Sequence, residues 1–118
     1  MAGKFELTKT ENGHYQFNLI DSDGRLLFTS EAYPHKSGAQ DGIVLLRERV
    51  AHFICFERKK TSTNKLYYVI REAGGQVIGS SRRYSSIPSL ESNISAIRKC
   101  VSDAAVVDAT EISTSGPS

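Results

Sequence analysis

The sequence predicts an α+β fold in which two tandem β-β-β-α-β units share one antiparallel sheet, with both helices packed on one face. Three observations carry this. Residues 56–103 match residues 5–52 without a gap at a shift of 51, pairing Phe5 with Phe56, Gly24 with Gly75, Ser30 with Ser81, Tyr33 with Tyr84 and Arg47 with Arg98. A period of that length marks two copies of one supersecondary unit. Each copy opens with three short segments of alternating polarity, separated by turn residues too few for a crossover, so their strands must be antiparallel. Each then carries one apolar stripe at helical spacing, Ala39, Ile43, Leu46 and Val50 in the first copy and Leu90, Ile94, Ile97 and Val101 in the second. One stripe per helix places both helices on the same side of the sheet.

The elements follow in order. Phe5 to Thr10 alternates as a half-buried strand. Glu11-Asn12-Gly13-His14 supplies a tight turn, and Tyr15, Phe17 and Leu19 point to one face of the next strand. Asp21-Ser22-Asp23-Gly24 makes the second turn, ahead of Leu26 to Thr29. The second copy repeats this as Phe56 to Thr61, Leu66 to Ile70 and Gln76 to Ser80, with glycine again at the 24/75 position, as a positive φ requires. Ser37-Gly38-Ala39-Gln40 reads as a capping box for the first helix, and Ser86 with Pro88 starts the second. His52-Phe53-Ile54-Cys55-Phe56 is apolar without Gly or Pro, so it reads as a buried extended strand leading directly into the second copy. At the same shift Cys55-Phe56-Glu57 falls on Val106-Val107-Asp108, which places a short strand after the second helix as well. Residues 1–110 are thus expected to form one domain of two repeats, 4–55 and 56–110, and 111–118 a disordered tail. A unit of about 50 residues is marginal alone, which argues for one shared core.

Composition narrows the function classes. A hydrophobic content of 39% is globular, and no apolar run is long enough to span a bilayer. The start, Met1-Ala2-Gly3-Lys4, has no signal-peptide pattern, so the expected compartment is the cytoplasm. Cys55 and Cys100 are expected as reduced, packed thiols. Charge is uneven. Residues 1–52 hold six Lys/Arg and seven Asp/Glu (−1), residues 53–103 nine and four (+5), and the remainder none and two (−2).

The strings Phe5-Glu6-Leu7, Asn12-Gly13, Ser30-Glu31-Ala32-Tyr33 and Gly42-Ile43, with Gly75-Gln76-Val77-Ile78-Gly79-Ser80-Ser81 in the second copy, resemble the YegP-like family of small bacterial proteins. The resemblance covers roughly residues 4–110 and carries no established activity. It implies two β-β-β-α-β units in one sheet with their C-terminal strands exchanged, here Phe53 to Phe56 and Val106-Val107. The second copy departs from the pattern, with Ser81-Arg82-Arg83-Tyr84 for the Ser-Glu-x-Tyr motif and Asn93-Ile94 for Gly-Ile, so the two copies need not be equivalent.

Six residues are candidate binding residues because they recur: Ser30, Tyr33, Ser81, Tyr84, Arg47 and Arg98. The serines and tyrosines read either as a paired pocket about the pseudo-twofold or as turn serines with tyrosines packing each helix onto the sheet. The arginines read as anion ligands, or as stems laid on apolar surface and paired with a carboxylate, Glu6 and Glu57 being plausible partners that the sequence does not place beside them. Arg58, Lys60, Lys65, Arg82 and Arg83, interleaved with Tyr67 and Tyr68, form a candidate basic surface for nucleic acid. No catalytic triad, metal spacing or cofactor-binding motif stands out, and His14, His35 and His52 do not recur. The expectation is a monomeric, non-enzymatic binding or interaction module whose ligand or protein partner the sequence does not name. Nucleic-acid binding through the second repeat is the alternative.

Overall fold

The computed structural model describes residues 3–52 and 56–110. Its elements are β1 (Lys4–Lys9), β2 (Tyr15–Ile20), β3 (Leu26–Ser30), α1 (Lys36–His52), β4 (Phe56–Lys60), β5 (Leu66–Arg71), β6 (Val77–Ser81), α2 (Ile87–Cys100) and β7 (Ala105–Asp108). They form one seven-stranded sheet in the order β4-β5-β6-β3-β2-β1-β7, and the two helical stripes enter one hydrophobic core. The expected turn glycines Gly24 and Gly75 have φ of 85° and 94°, and Ser86 caps α2 by accepting the Ser89 N–H. None of the described helices is long and apolar enough to cross a membrane.

The two repeats meet where β3 pairs antiparallel with β6. Thr29 faces Ser80 there, and these two residues are equivalent at the shift of 51, so a pseudo-twofold axis passes between them. A row of five rings crosses this axis under the helices. Phe5 meets Phe17 edge-on at 5.7 Å, Phe17 stacks with Phe28 at 6.4 Å, Phe28 with Tyr68 at 6.5 Å, and Tyr68 meets Phe56 edge-on at 5.0 Å. The row is symmetric about Phe28, whose own equivalent is Gly79. A Cβ on Gly79 would lie 2.7 Å from the Phe28 ring and 2.4 Å from the Thr29 carbonyl oxygen, so the space at the axis holds a single ring.

Two expectations are corrected. Ser37 lies inside the first turn of α1 rather than capping it, because the helix begins at Lys36 and the His35 carbonyl accepts the Gly38 and Ala39 N–H groups. The sheet is mixed rather than wholly antiparallel, since β7 pairs in parallel with β1, from Lys4↔Ala105 to Leu7↔Asp108. Short turns reveal only hairpin neighbours; β7 returns along α2 and reaches the first repeat in the same direction as β1. The second repeat therefore gives its last strand to the first. The strand expected over Phe53 to Phe56 falls largely outside the described residues, as does Cys55, whereas Cys100 is a buried thiol.

β7 is exposed along its length and tied at its end by Asp108, which pairs with Lys36 and accepts from the Thr110 hydroxyl and N–H. Lys36 first, then Thr110, holds this carboxyl down at about 2, against about 3.9 for an unperturbed aspartate. A depressed carboxylate stabilises the folded state above its unfolded pKa and loses that contribution as pH falls through the folded value. Protection from hydrogen exchange at residues 105–109, taken relative to the intrinsic rate at each pH, is therefore expected to fall between about pH 4 and 2. Lys36→Ala should lower the protection at neutral pH and flatten its dependence on pH; an unchanged profile would leave Thr110 as the sole anchor.

Candidate binding site

Ser30 and Ser81 repair the same irregularity in both repeats. Asn18 faces Thr29 and Tyr15 bridges Tyr33, so three steps along β2 oppose four along the other chain. The extra residue leaves the Phe17 N–H without its ladder carbonyl. The Ser30 hydroxyl accepts it at 2.9 Å and donates to the Glu31 carbonyl at 2.8 Å. Ser81 does the same for the Tyr68 N–H at 3.1 Å and the Arg82 carbonyl at 2.7 Å. Both hydroxyls are buried and committed to backbone. Because β3 and β6 are antiparallel, the two Ser–Tyr stretches also leave the sheet at opposite ends and share no pocket.

The tyrosines differ between repeats. Tyr33 runs along α1 over Gly38 and Gly42; a Cβ on Gly42 would lie 2.6 Å from its hydroxyl oxygen and 3.1 Å from Phe17. Burial, then the negative charges of Glu31 and Glu72, raises the Tyr33 phenol above its usual range. In the second repeat Asn93 replaces Gly42 and Tyr68 replaces Phe17. Buried Asn93 accepts from the Tyr68 hydroxyl at 2.5 Å, and its Nδ2 donates to the Tyr84 oxygen at 2.7 Å and the Leu27 carbonyl at 3.2 Å. A polar cluster thus replaces an apolar contact, and it binds α2 to β3 of the other repeat.

Beside this cluster lies a groove of about 520 Å³. Its walls come from both repeats: Asp21, Arg25 and Leu27 on one side, Arg82, Tyr84 and Asn93 on the other, with Ser89 and Ser92 along α2. Asp21 is engaged by Arg25 at 3.6 Å and by the Asp23 and Arg25 N–H groups, both at 2.9 Å. Of the groove's key residues, Tyr84 is visible as a recurring position, and Arg82 and Asn93 as departures of the second copy; the pairing of Asn93 with Tyr68 is not visible from either position alone. A signal was present as a paired mismatch, Gly42 to Asn93 and Phe17 to Tyr68, among many other differences between the copies.

Arg47 and Arg98 have separated in role. Arg47 donates to the carbonyls of Val101 (2.8 Å), Ser102 (3.2 Å) and Ala104 (2.7 Å), closing the end of α2, and lies 4.9 Å over the Phe5 ring. Glu6 is not its partner; that carboxylate reaches Lys4, and Glu57 pairs with Arg71 and Lys59. The end of a helix exposes unpaired carbonyls, which suit a guanidinium better than a distant strand carboxylate. Arg98 is exposed at a second hollow of about 550 Å³ between the helix ends, which also contains Val50 and Lys99.

The basic residues are divided. Arg58 points to the helix side and pairs with Glu91 at 2.8 Å, whereas Arg83 lies 5.4 Å from the Tyr67 ring centroid, on the opposite face. Arg82 lines the groove, and Lys60 and Lys65 are exposed around the first turn of the repeat. Strand β4 ends the sheet, and its Arg58-Lys59-Lys60 run makes a charged edge of the kind that resists edge-to-edge pairing. Replacing all three by threonine is expected to produce concentration-dependent association in sedimentation velocity. An unchanged mass would mean that these charges do not guard the edge. Among the described residues no three His, Cys, Asp or Glu side chains gather as a metal site.

The model of a domain of unknown function, DUF1508, matches residues 11–52 and again 62–108. The chain belongs to this family. The two matches start one repeat length apart, as the internal shift requires. Relatives in the family include a UPF0339 protein of Pseudomonas aeruginosa, 32% identical over 92% of this chain and 98% of its own length. The UPF0339 protein YegP of Escherichia coli is 35% identical over 83% of this chain and 89% of its own. The solution structure of E. coli YegP, described as a protein of unknown function, matches with a TM-score of 0.88 at 34% identity, covering 93% of this chain and 95% of that one. A UPF0339 protein of Shewanella oneidensis matches with a TM-score of 0.87 at 29% identity, over 93% of each chain. The YegP-like fold, with its duplicated unit, is thus common to this chain and both solved relatives.

Proposed function

We propose that this chain is a non-enzymatic binding module whose ligand site is the groove beside Tyr84. The observation that carries the reading is the Asn93 cluster, a buried polar arrangement present in only one repeat and placed at the wall of a cavity shared by both. Buried polar networks are costly unless fully satisfied, and an apolar solution to the same packing problem exists in the first repeat at Phe17 and Gly42. The two recurring serines, engaged with backbone, are poorly suited to nucleophilic chemistry. The test is a fragment screen on ¹⁵N-labelled full-length protein. Shifts should gather at the amides of Leu27, Tyr84, Ser92 and Asn93. Shifts gathered instead on the helix-free face of the sheet would displace the site.

One observation favours nucleic acid as a second reading: the Arg83 guanidinium over Tyr67 forms a cationic, aromatic element on that helix-free face. A single-stranded oligonucleotide would then shift Tyr67 and Arg83, with affinity falling steeply between low and moderate salt. The pairing of Arg58 with Glu91, and of Arg71 and Lys59 with Glu57, weakens the field such a surface needs.

A further inference from the structure

We infer that the groove ligand carries an anionic oxygen group, a carboxylate or a phosphate, received by the Tyr84 hydroxyl and the Arg82 guanidinium. This rests on the groove being the ligand site and adds the chemical class of what it takes.

The argument starts from a carbonyl that can only accept. The Leu27 C=O lies 3.2 Å from one terminal atom of the Asn93 amide, so that atom is Nδ2. Oδ1 is then the atom 2.5 Å from the Tyr68 hydroxyl, and Tyr68, fully buried, must donate to it. The second hydrogen of Nδ2 goes to the Tyr84 oxygen at 2.7 Å. Tyr84 therefore accepts from within the protein, and no acceptor among the described residues takes its own proton. The chain of donors runs from the core outward, Tyr68 to Asn93 to Tyr84, and its last proton is available at the groove. The ligand group that fits is an acceptor.

The surrounding charge has the matching sign. Arg82 lines the groove with no carboxylate partner among the described residues, whereas Arg25 is held by Asp23 at 3.0 Å and by Asp21, the groove's one carboxylate, which also accepts two backbone N–H groups. The N-terminal turn of α2 forms part of the wall through Pro88 and Ser89, adding a weaker positive potential. The pseudo-twofold-related positions around Tyr33 differ in character. Glu31 stands for Arg82 and Gln76 for Arg25, Glu31 and Glu72 act on Tyr33 there, and glycine replaces the orienting amide. One anion site per chain follows, on the second-repeat side.

The experiment is a titration of the labelled full-length protein at low salt with phenyl phosphate, benzoate, inorganic phosphate, benzyl alcohol and benzylamine. At least one of the anions is expected to shift the Arg82, Tyr84 and Ser92 amides saturably, with a stoichiometry of one; comparing benzoate with the phosphates distinguishes the two groups. Tyr84→Phe should weaken that binding about tenfold, the loss of one hydrogen bond to a charged group. Arg82→Glu, which installs the first-repeat residue at an exposed position, should abolish it without changing the thermal midpoint. If benzylamine or benzyl alcohol binds the groove as tightly as the anions, the ligand class is wrong and the groove remains the site. If no probe shifts the groove amides, both conclusions fall. If Tyr84→Phe binds like the parent protein, the proton-directing role of Asn93 and Tyr84 is overturned.

Discussion

Gly79→Ala is expected to be among the most destabilising single-methyl additions in this chain. The new Cβ would meet the Thr29 carbonyl at 2.4 Å and the Phe28 ring at 2.7 Å, and neither can withdraw, since one is sheet backbone and the other is stacked between Phe17 and Tyr68. Overpacking in cores costs about 1–3 kcal/mol, occasionally more, and contact with backbone places this case at the upper end. Phe28→Ala alone should cost about 3–5 kcal/mol, as for other buried phenylalanines. The double variant should cost less than the sum, because removing the ring relieves one of the two collisions. Urea unfolding of the four proteins measures the coupling. Strict additivity would mean that the ring and the glycine do not compete for the space at the axis.

Asn93→Ala is expected to cost about 3 kcal/mol or more, because it strands two buried groups, the Tyr68 hydroxyl and the Leu27 carbonyl, each worth about 1–3 kcal/mol when left unpaired. Burial holds the Tyr68 phenol far above its usual range, so ionisation offers no escape. The pair Asn93→Gly with Tyr68→Phe installs the first-repeat solution and should be milder than Asn93→Gly alone. A double-mutant cycle in urea tests this. If adding Tyr68→Phe does not recover stability lost by Asn93→Gly, the two positions are not a coupled exchange.

Much of the fold was legible because it is written in periodicities. The stripes Ala39 to Val50 and Leu90 to Val101 are buried as expected, and Gly24 and Gly75 take the conformations their turns demand. The parallel pairing of β7 with β1 was not legible from hydrophobic pattern, since alternation records which face is buried and carries no information about strand direction. The site was legible only in part. Ser30, Ser81 and Arg47 recur or stand out for reasons of backbone satisfaction, which the sequence does not separate from ligand binding. Asn93 stood out as a departure of the second copy but not as a candidate binding residue, because recurrence was the criterion and its importance lies in not recurring. Residues such as Phe28 and Gly79, or Phe17 and Tyr68, differ between copies because their surroundings are not equivalent once the chain folds.

The single ring at the axis has a consequence for how the gene can change. A half-chain of the first kind, assembled with itself, would bring two Phe28 rings to a place that holds one; a half-chain of the second kind would bring two glycines and leave a hole. Neither half retains a self-complementary centre. A single repeated half would need a different residue at position 28 or 79 before two copies of it could pack about this axis.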